Sequence, residues 1–325
     1  MHKTVVIVGD SPLSVLIGRL IDRDLARQTH IEAVHLTRDP SFVYAPRISS
    51  LLGKQSFTLK NRLYRHVSCQ TTTVRQIDLI DRRVITTDGI VDYDALILDL
   101  TPTYTAEEIK KIAAQATRLI NEVQAKAKSG QQLKARITFA GADAVSWQIA
   151  LALAADLSVM STAVQRALSV QAQFPPIAKL REFLVENGVT SRKSVALLPG
   201  LTIGAPKAPL KNRSVRGALL DDRDNFILRE TLNPEGHPET IVIDGDWRLA
   251  PNILKVEQTL ASRLVGNVER FLEGERQRPI HCPRPSGILK AQDGEFVWFG
   301  SLQSSGWRAK IIAWLDRGFY EKLVG

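Results

Sequence analysis

Thr4-Val5-Val6-Ile7-Val8-Gly9-Asp10-Ser11-Pro12-Leu13-Ser14 decides the fold. Thr4 to Val8 is a continuous β-branched run. Such a run reads as a strand buried on both faces of a parallel sheet. Gly9 to Pro12 break it, and Pro12 suits the first turn of a helix, where no N–H is needed. Leu13, Leu16, Ile17, Leu20 and Ile21 then recur at helical spacing to about Ala26, and Ile31 to Leu36 reads as a second strand. This is the opening β-α-β of a doubly wound sheet.

Further on, Val74 to Asp81, Arg83 to Thr87 and Ile90 to Tyr93 read as short strands with a turn at Asp88-Gly89. Ala95 to Leu100 is another buried strand. Thr105 and Glu108 have capping-box spacing before a long helix to about Lys128. Ala135 to Ala140 reads as a strand, Gly141 breaks it, and Val145 to Leu157 is helical. The strand–glycine–helix pattern thus occurs twice, which predicts an α/β protein of two Rossmann-like units. Ala167 to Gln171 reads as a strand, Ile177 to Asn187 as a helix and Gly200 to Arg213 as a loop. Thr240 to Ile243 reads as a strand, Asn252 to Glu273 as a helix, Phe296 to Phe299 as a strand and Trp307 to Leu323 as a final helix.

A chain of 325 residues accommodates two such units. Its 44% hydrophobic and 24% charged content excludes fibrous and disordered classes. The net charge of +9 is scattered, without the basic stripe of a nucleic-acid binder, so no nucleic acid is expected. An acidic partner or an anionic membrane surface stays open. Cys69 and Cys282 form no CxxC pair and read as reduced thiols of a cytoplasmic protein, without metal. Met1 to Thr4 runs straight into a strand, so no signal peptide is expected. No apolar run approaches the roughly 18 residues that span a bilayer.

The order of these pieces resembles the flavoproteins with two dinucleotide-binding domains, and within them the type II NADH dehydrogenases. Val6-Ile7-Val8-Gly9 is similar to the FAD-binding start. Leu36 to Pro40 with Tyr44-Ala45-Pro46, and Tyr93-Asp94 before Ala95 to Leu98, are similar to later pieces of the first FAD segment. His237 to Ile243 followed by Gly245-Asp246 resembles the late segment whose Asp meets the flavin side of FAD. The resemblance covers nearly the whole chain. It implies a discontinuous FAD-type unit (1–104 and 206–285), a reduced NAD-type unit (105–205), and a C-terminal strand with an amphipathic helix (286–325).

The chemistry of that family is poorly served by these residues. A GxGxxG turn needs its glycines so that pyrophosphate can approach the backbone and helix and strand can pack. The three positions hold Gly9, Ser11 and Ser14, with Pro12 between them. The ribose acid is replaced by Thr37, and the turn after Leu98 reads Asp99-Leu100-Thr101, without glycine. Gly245-Asp246 is kept. The second turn holds Gly141, Asp143 and Ser146. Asp143 reads as a helix cap that would repel a pyrophosphate. Gln148 stands where the family carries an acid near the nicotinamide, and Leu254 to Thr259 keeps nothing of its quinone motif, AQxAxQ. There Lys255 and Glu257 read as a solvated face or a salt bridge. Ser301, Ser304 and Ser305 read as a polar loop.

The expectation is a family-like protein without cofactor, acting as a structural or partner-binding subunit. The alternative is an active FAD-dependent NAD(P)H oxidoreductase that passes electrons to a quinone or protein acceptor, with Gly9, Ser11, Pro12, Ser14, Thr37, Gly245 and Asp246 holding FAD. A vacated cleft that takes another small ligand is a third reading. In the final helix, Trp307, Ile311, Ile312, Trp314, Leu315, Phe319 and Leu323 fall on one half of the wheel. Lys310, Asp316, Arg317 and Glu321 fall on the other. The helix either packs on its own core or docks a partner or a membrane surface through Trp307, Ile311, Trp314, Leu315 and Phe319. The loop Lys207 to Arg216 is a second candidate partner surface.

Overall fold

The computed structural model describes residues 2–53, 55, 57–131, 134–174, 177–191, 200–243, 253–281, 286–292, 294–299 and 302–324. Strand β1 (Lys3–Val8) leads into helix α1 (Pro12–Asp24) and β2 (Ile31–Thr37). A ribbon of β3 (Ser41–Phe42) and β4 (Thr58–Leu59) precedes β5 (Val67–Thr71). The strands β6 (Val74–Asp78), β7 (Arg83–Thr86) and β8 (Ile90–Asp92) form an antiparallel meander, and β9 (Ala95–Asp99) follows.

Helix α2 (Ala106–Lys128) leads to β10 (Ala135–Phe139), α3 (Ala144–Ser158), α4 (Thr162–Ala167) and β11 (Leu168–Ala172). Next come α5 (Ala178–Glu186), β12 (Val189–Ser191) and β13 (Gly200–Ile203). After β14 (Val215–Arg216) and β15 (Thr240–Ile243) come α6 (Leu254–Glu273), the antiparallel strands β16 (Ser286–Lys290), β17 (Glu295–Phe299) and β18 (Leu302–Ser305), and α7 (Trp307–Val324).

The first sheet is parallel throughout, in the order β15-β9-β1-β2-β5. The second, also parallel, runs β12-β11-β10-β13. This is an α/β fold of two doubly wound, Rossmann-like units with a short C-terminal region. Val5 to Val8 and Leu96 to Leu98 are fully buried, as a strand covered on both faces requires. Asp39 and Asp156 tie the two sheet regions together. Asp39 Oδ2 accepts from Ala106 N at the start of α2 (2.6 Å), and Asp156 Oδ2 accepts from Leu51 N and Leu52 N (2.7 and 2.8 Å).

Several elements depart from the sequence reading. Gly200 to Ile203 is strand β13 rather than loop, paired with β10. A Cβ at Gly200 would overlap the Arg136 carbonyl, so the close strand approach itself requires glycine. The basic segment Lys207 to Arg216 is not a free loop. Arg216 pairs with Asp78 (2.8 Å), Arg213 pairs with Asp224 (2.8 Å), and β14 lies against β6. Ser304 and Ser305 belong to β18, while Ser301 and Cys282 lie outside the described residues.

Candidate functional site

The first glycine turn joins β1 to α1. Ser11 caps the helix: its Oγ accepts from Leu13 N (3.1 Å) and Ser14 N (3.3 Å). These are the N–H groups that a phosphate at a helix N-terminus would use. Ser11 Oγ in turn donates to Asp99 Oδ2. Asp99 ends β9, is fully buried, and takes Thr101 N (3.0 Å) and Thr101 Oγ1 (2.5 Å) on its other oxygen. An ideal Cβ on Gly9 would stand 2.9 Å from both Asp99 Cβ and Ser14 Cβ. Gly9 is therefore required by the tight turn itself, and the second position, where a pyrophosphate would approach the backbone, carries the Ser11 side chain. Gly9, Ser11 and Ser14 are all buried.

The ribose position is filled as well. Thr37, at the end of β2, donates to Asp10 Oδ1 (2.7 Å) and accepts from Lys60 Nζ (2.6 Å). Lys60 is 0% exposed, and its Nζ also reaches Asp39 O (2.9 Å). Asp10 accepts from Arg38 N (2.8 Å) and Arg38 Nε (2.5 Å). Burial pushes the Asp10 carboxyl up, but Arg38 and Lys60 outweigh it and hold the group below its usual value. Burial lowers Lys60, with Asp10 opposing.

His35 braces this turn from beneath. Its Nε2 lies 2.9 Å from Gly9 O and its Nδ1 2.9 Å from the Tyr64 hydroxyl. A carbonyl can only accept, so Nε2 carries the proton and Nδ1 accepts from Tyr64. Burial, with Lys60 adding to it, pushes His35 down to about 3, so the ring is neutral.

At the second turn Asp143 is the helix cap that the sequence suggests. It accepts from Ser146 N (2.8 Å) and Ser146 Oγ (2.8 Å), and burial raises its carboxyl. A Cβ on Gly141 would overlap both the Ser146 and the Asp143 side chains. The Tyr104 hydroxyl lies 3.2 Å from Ser146 Oγ and donates to Gly204 O (2.6 Å). Gln148 is fully buried. Its Nε2 donates to Ile48 O (3.1 Å) and Lys290 O (2.9 Å), and its Oε1 accepts from Lys290 N (2.8 Å). An acid here would lose both donations, so the residue serves as a clamp on β16.

The residues at both turns do not fit a dinucleotide held by its pyrophosphate. Thr37 is engaged by Asp10 and Lys60, Ser11 by Asp99, and Ser14 Oγ donates to Ser11 O (2.8 Å). Gly245 and Asp246, the best-kept piece of the resemblance, lie outside the described residues. The sequence reading did not find His35, Lys60 or the role of Asp99. Asp99 alone left a signal, an acid closing an apolar strand beside a missing glycine.

The C-terminal region corrects two readings. Glu257 is buried rather than solvated, while Lys255 Nζ reaches Gln258 Oε1 (3.0 Å) and lies over the Phe319 ring. Asp316 is buried at the centre of the inner face of α7, where it accepts from the Tyr44 hydroxyl and from Leu254 N (2.8 Å). It thereby caps α6, whose own N-cap residue, Ile253, offers no side-chain acceptor. Burial pushes the Asp316 carboxyl up to about 6. Phe319, Ile312 and Leu323 pack inward, so the apolar residues of α7 occupy two faces. Trp307 (67% exposed), Ile311, Trp314 (70%) and Leu315 form the outward one. Among the described residues no helix is long and apolar enough to cross a membrane, and no cluster of metal-ligating side chains occurs.

The sequence matches no protein-family model and no curated protein. Solved structures do resemble it. The sulfide:quinone oxidoreductase of Aquifex aeolicus is 12% identical with a TM-score of 0.69, over 99% of this chain and 91% of that one. A chain of the Tetrahymena thermophila mitochondrial ATP synthase is 12% identical with a TM-score of 0.67, over 100% and 96%. Fdr9 is 17% identical with a TM-score of 0.60, over 93% and 83%. At these identities the likeness establishes architecture: the chain shares its α/β fold of two Rossmann-like units with these structures.

Proposed function

We propose that this protein keeps the oxidoreductase fold as a non-catalytic subunit that binds a protein partner. One observation carries the reading: the Asp99 side chain is packed on the Gly9 turn and held by Ser11, whose hydroxyl already occupies the N–H groups of Leu13 and Ser14. The N–H groups that would hold a phosphate are spent on an internal contact. The similarity to a chain of an ATP synthase, over nearly the full length of both, supports a place for this fold inside a larger assembly. In this reading the partner contacts the outward stripe of Trp307, Ile311, Trp314 and Leu315, four large apolar side chains left in solvent. Peripheral contact with a membrane surface through the same stripe is the neighbouring possibility.

The competing reading is an active FAD-dependent oxidoreductase, favoured by the sulfide:quinone oxidoreductase among the structural neighbours. The visible spectrum of the purified protein separates the two. The subunit reading expects no flavin absorbance and no rise in melting temperature with excess FAD. A ligand bound by the native state alone must raise stability by mass action. A yellow protein, or a clear upward shift, overturns the reading.

A further inference from the structure

A cleft of about 510 Å³ opens between α1, the 62–65 segment and the end of α7. Six cations line it: Arg19, Arg23, Arg27, Arg62, Arg65 and Lys322. Among the described residues Asp22 is the acid that faces them, and its Oδ1 is taken by the N–H groups of Arg65, His66 and Val67 (2.7, 2.5 and 3.0 Å). Arg23 pairs with Asp24 at 2.6 Å, and Arg19 Nη1 donates to Leu323 O at 2.7 Å. No carboxylate among the described residues forms an ion pair with Arg27, Arg62, Arg65 or Lys322. Neither Gly9 to Ser14, Thr37 nor Asp99 lines this cleft, so it is separate from the glycine turns.

Like charges gathered around one cleft repel one another and weaken the fold. Guanidinium groups present a planar fork that matches phosphate oxygens in pairs. The volume falls in the roughly 300–1,000 Å³ range of small-molecule sites. The walls are firm, because Leu16, Leu20, Leu63 and Leu323 beneath the cations are buried. We propose that this cleft binds a small, multiply charged phosphate anion, either free in solution or presented as a phospholipid headgroup.

Titration calorimetry with inorganic tripolyphosphate, and co-sedimentation with phosphatidylcholine vesicles with and without phosphatidic acid, test this on the full chain. Saturable binding of either probe is expected. Arg62→Glu with Arg65→Glu should weaken it on the order of tenfold or more, as loss of a charge-assisted hydrogen bond implies. Both residues are exposed, and a melting temperature no lower than that of the wild type will confirm folding. Arg75→Glu, exposed on β6, should leave binding unchanged and so removes the effect of net charge. Tripolyphosphate binding assigns a free anion, and binding only to the anionic vesicles assigns a headgroup. Trp314→Ala then separates the cleft from the α7 stripe: vesicle binding that depends on Trp314 but survives the double Arg variant overturns the proposal. So does failure of both probes, or equal loss in Arg75→Glu. The flavin spectrum bears on none of these outcomes.

Discussion

The two glycine turns answer the same electrostatic demand by different means. A helix N-terminus presents unfilled N–H groups and partial positive charge. At the second turn the acceptor is local, with Asp143 capping Ser146 three residues away. At the first turn Ser11 is the immediate cap, and the carboxylate behind it comes from Asp99, 88 residues distant. Beside it, Asp10, Arg38, Thr37 and Lys60 bind the β1 turn to the end of β2. The first turn thus acts as a joint between strands, whereas the second is only a helix end. Remote carboxylates recur elsewhere: Asp39 reaches α2, and Asp316 reaches α6. Helix ends that could receive a ligand's phosphate in such a fold are here supplied with acids of the chain itself.

If the first turn is a joint, its network should dominate the mutational response. Asp10→Ala leaves Arg38 and the buried Lys60 without their shared carboxylate. Breaking a buried pair in this way costs about 3–5 kcal/mol. Urea midpoints at neutral pH measure it. A loss of only about 1 kcal/mol, typical of surface pairs, would erase the distinction between the turns.

Acid sharpens the contrast, because two buried groups pull in opposite directions. His35 titrates near 3 in the folded chain against an ordinary 6.5, so the unfolded chain binds the proton first, and stability falls as pH drops through that interval. Asp316 titrates near 6 against an ordinary 3.8. The folded chain holds that proton more tightly, so stability rises as pH drops from about 6 toward 4 and is lost as pH climbs back. Each slope is at most about 1.4 kcal/mol per pH unit. Between about pH 4.5 and 6.5, His35→Gln should gain stability on acidification relative to wild type, and Asp316→Asn should lose it. Parallel curves for all three proteins would show that neither group titrates as its surroundings imply.

Asp99→Ala comes next. It removes the acceptor of Ser11 Oγ, Thr101 N and Thr101 Oγ1, at about 2–3 kcal/mol for hydrogen bonds to a charged group. The single variant still has Ser11 on the helix N–H groups. Combined with Ser11→Gly, it frees Leu13 N and Ser14 N and removes the carboxylate beside them. A rise in melting temperature with FAD in the double variant but not in wild type would identify the internal carboxylate as the obstacle. Equal indifference in both would place the obstacle at Lys60 and Thr37 instead.

How far the sequence could lead differs between the same two turns. Alternation of β-branched runs with helical spacing exposed the opening β1-α1-β2 and its echo at β10-α3, because periodicity is local. Asp143 was legible as a cap because its acceptor serves N–H groups three residues on. Lys60 was not legible. It lies in an irregular segment, and nothing nearby in sequence shows that Thr37 and Asp39 O will surround its amine. Strand β13 was hidden by the glycine that lets it approach Arg136, which locally resembles a loop. The helical wheel places the inward Asp316 on the wrong face because α7 is apolar on two sides and has no single polar half.

The smallest expected effect completes the comparison. Asp143→Ala removes one local cap, which typically costs about 1 kcal/mol. Asp143→Asn keeps an acceptor oxygen for Ser146 N and should recover most of that loss. With that acceptor kept, it should cost less at neutral pH than the alanine variant. Urea midpoints of the two variants, set beside Asp99→Ala and Asp99→Asn, decide the matter. If the second turn is only a helix end, asparagine should suffice there. At Asp99 it should not: Ser11 Oγ already accepts from Leu13 N and Ser14 N and cannot also accept from an amide, whereas the Ser146 hydroxyl can turn to accept from one. Equal rescue by asparagine at both positions would mean that the remote carboxylate, too, is no more than a cap.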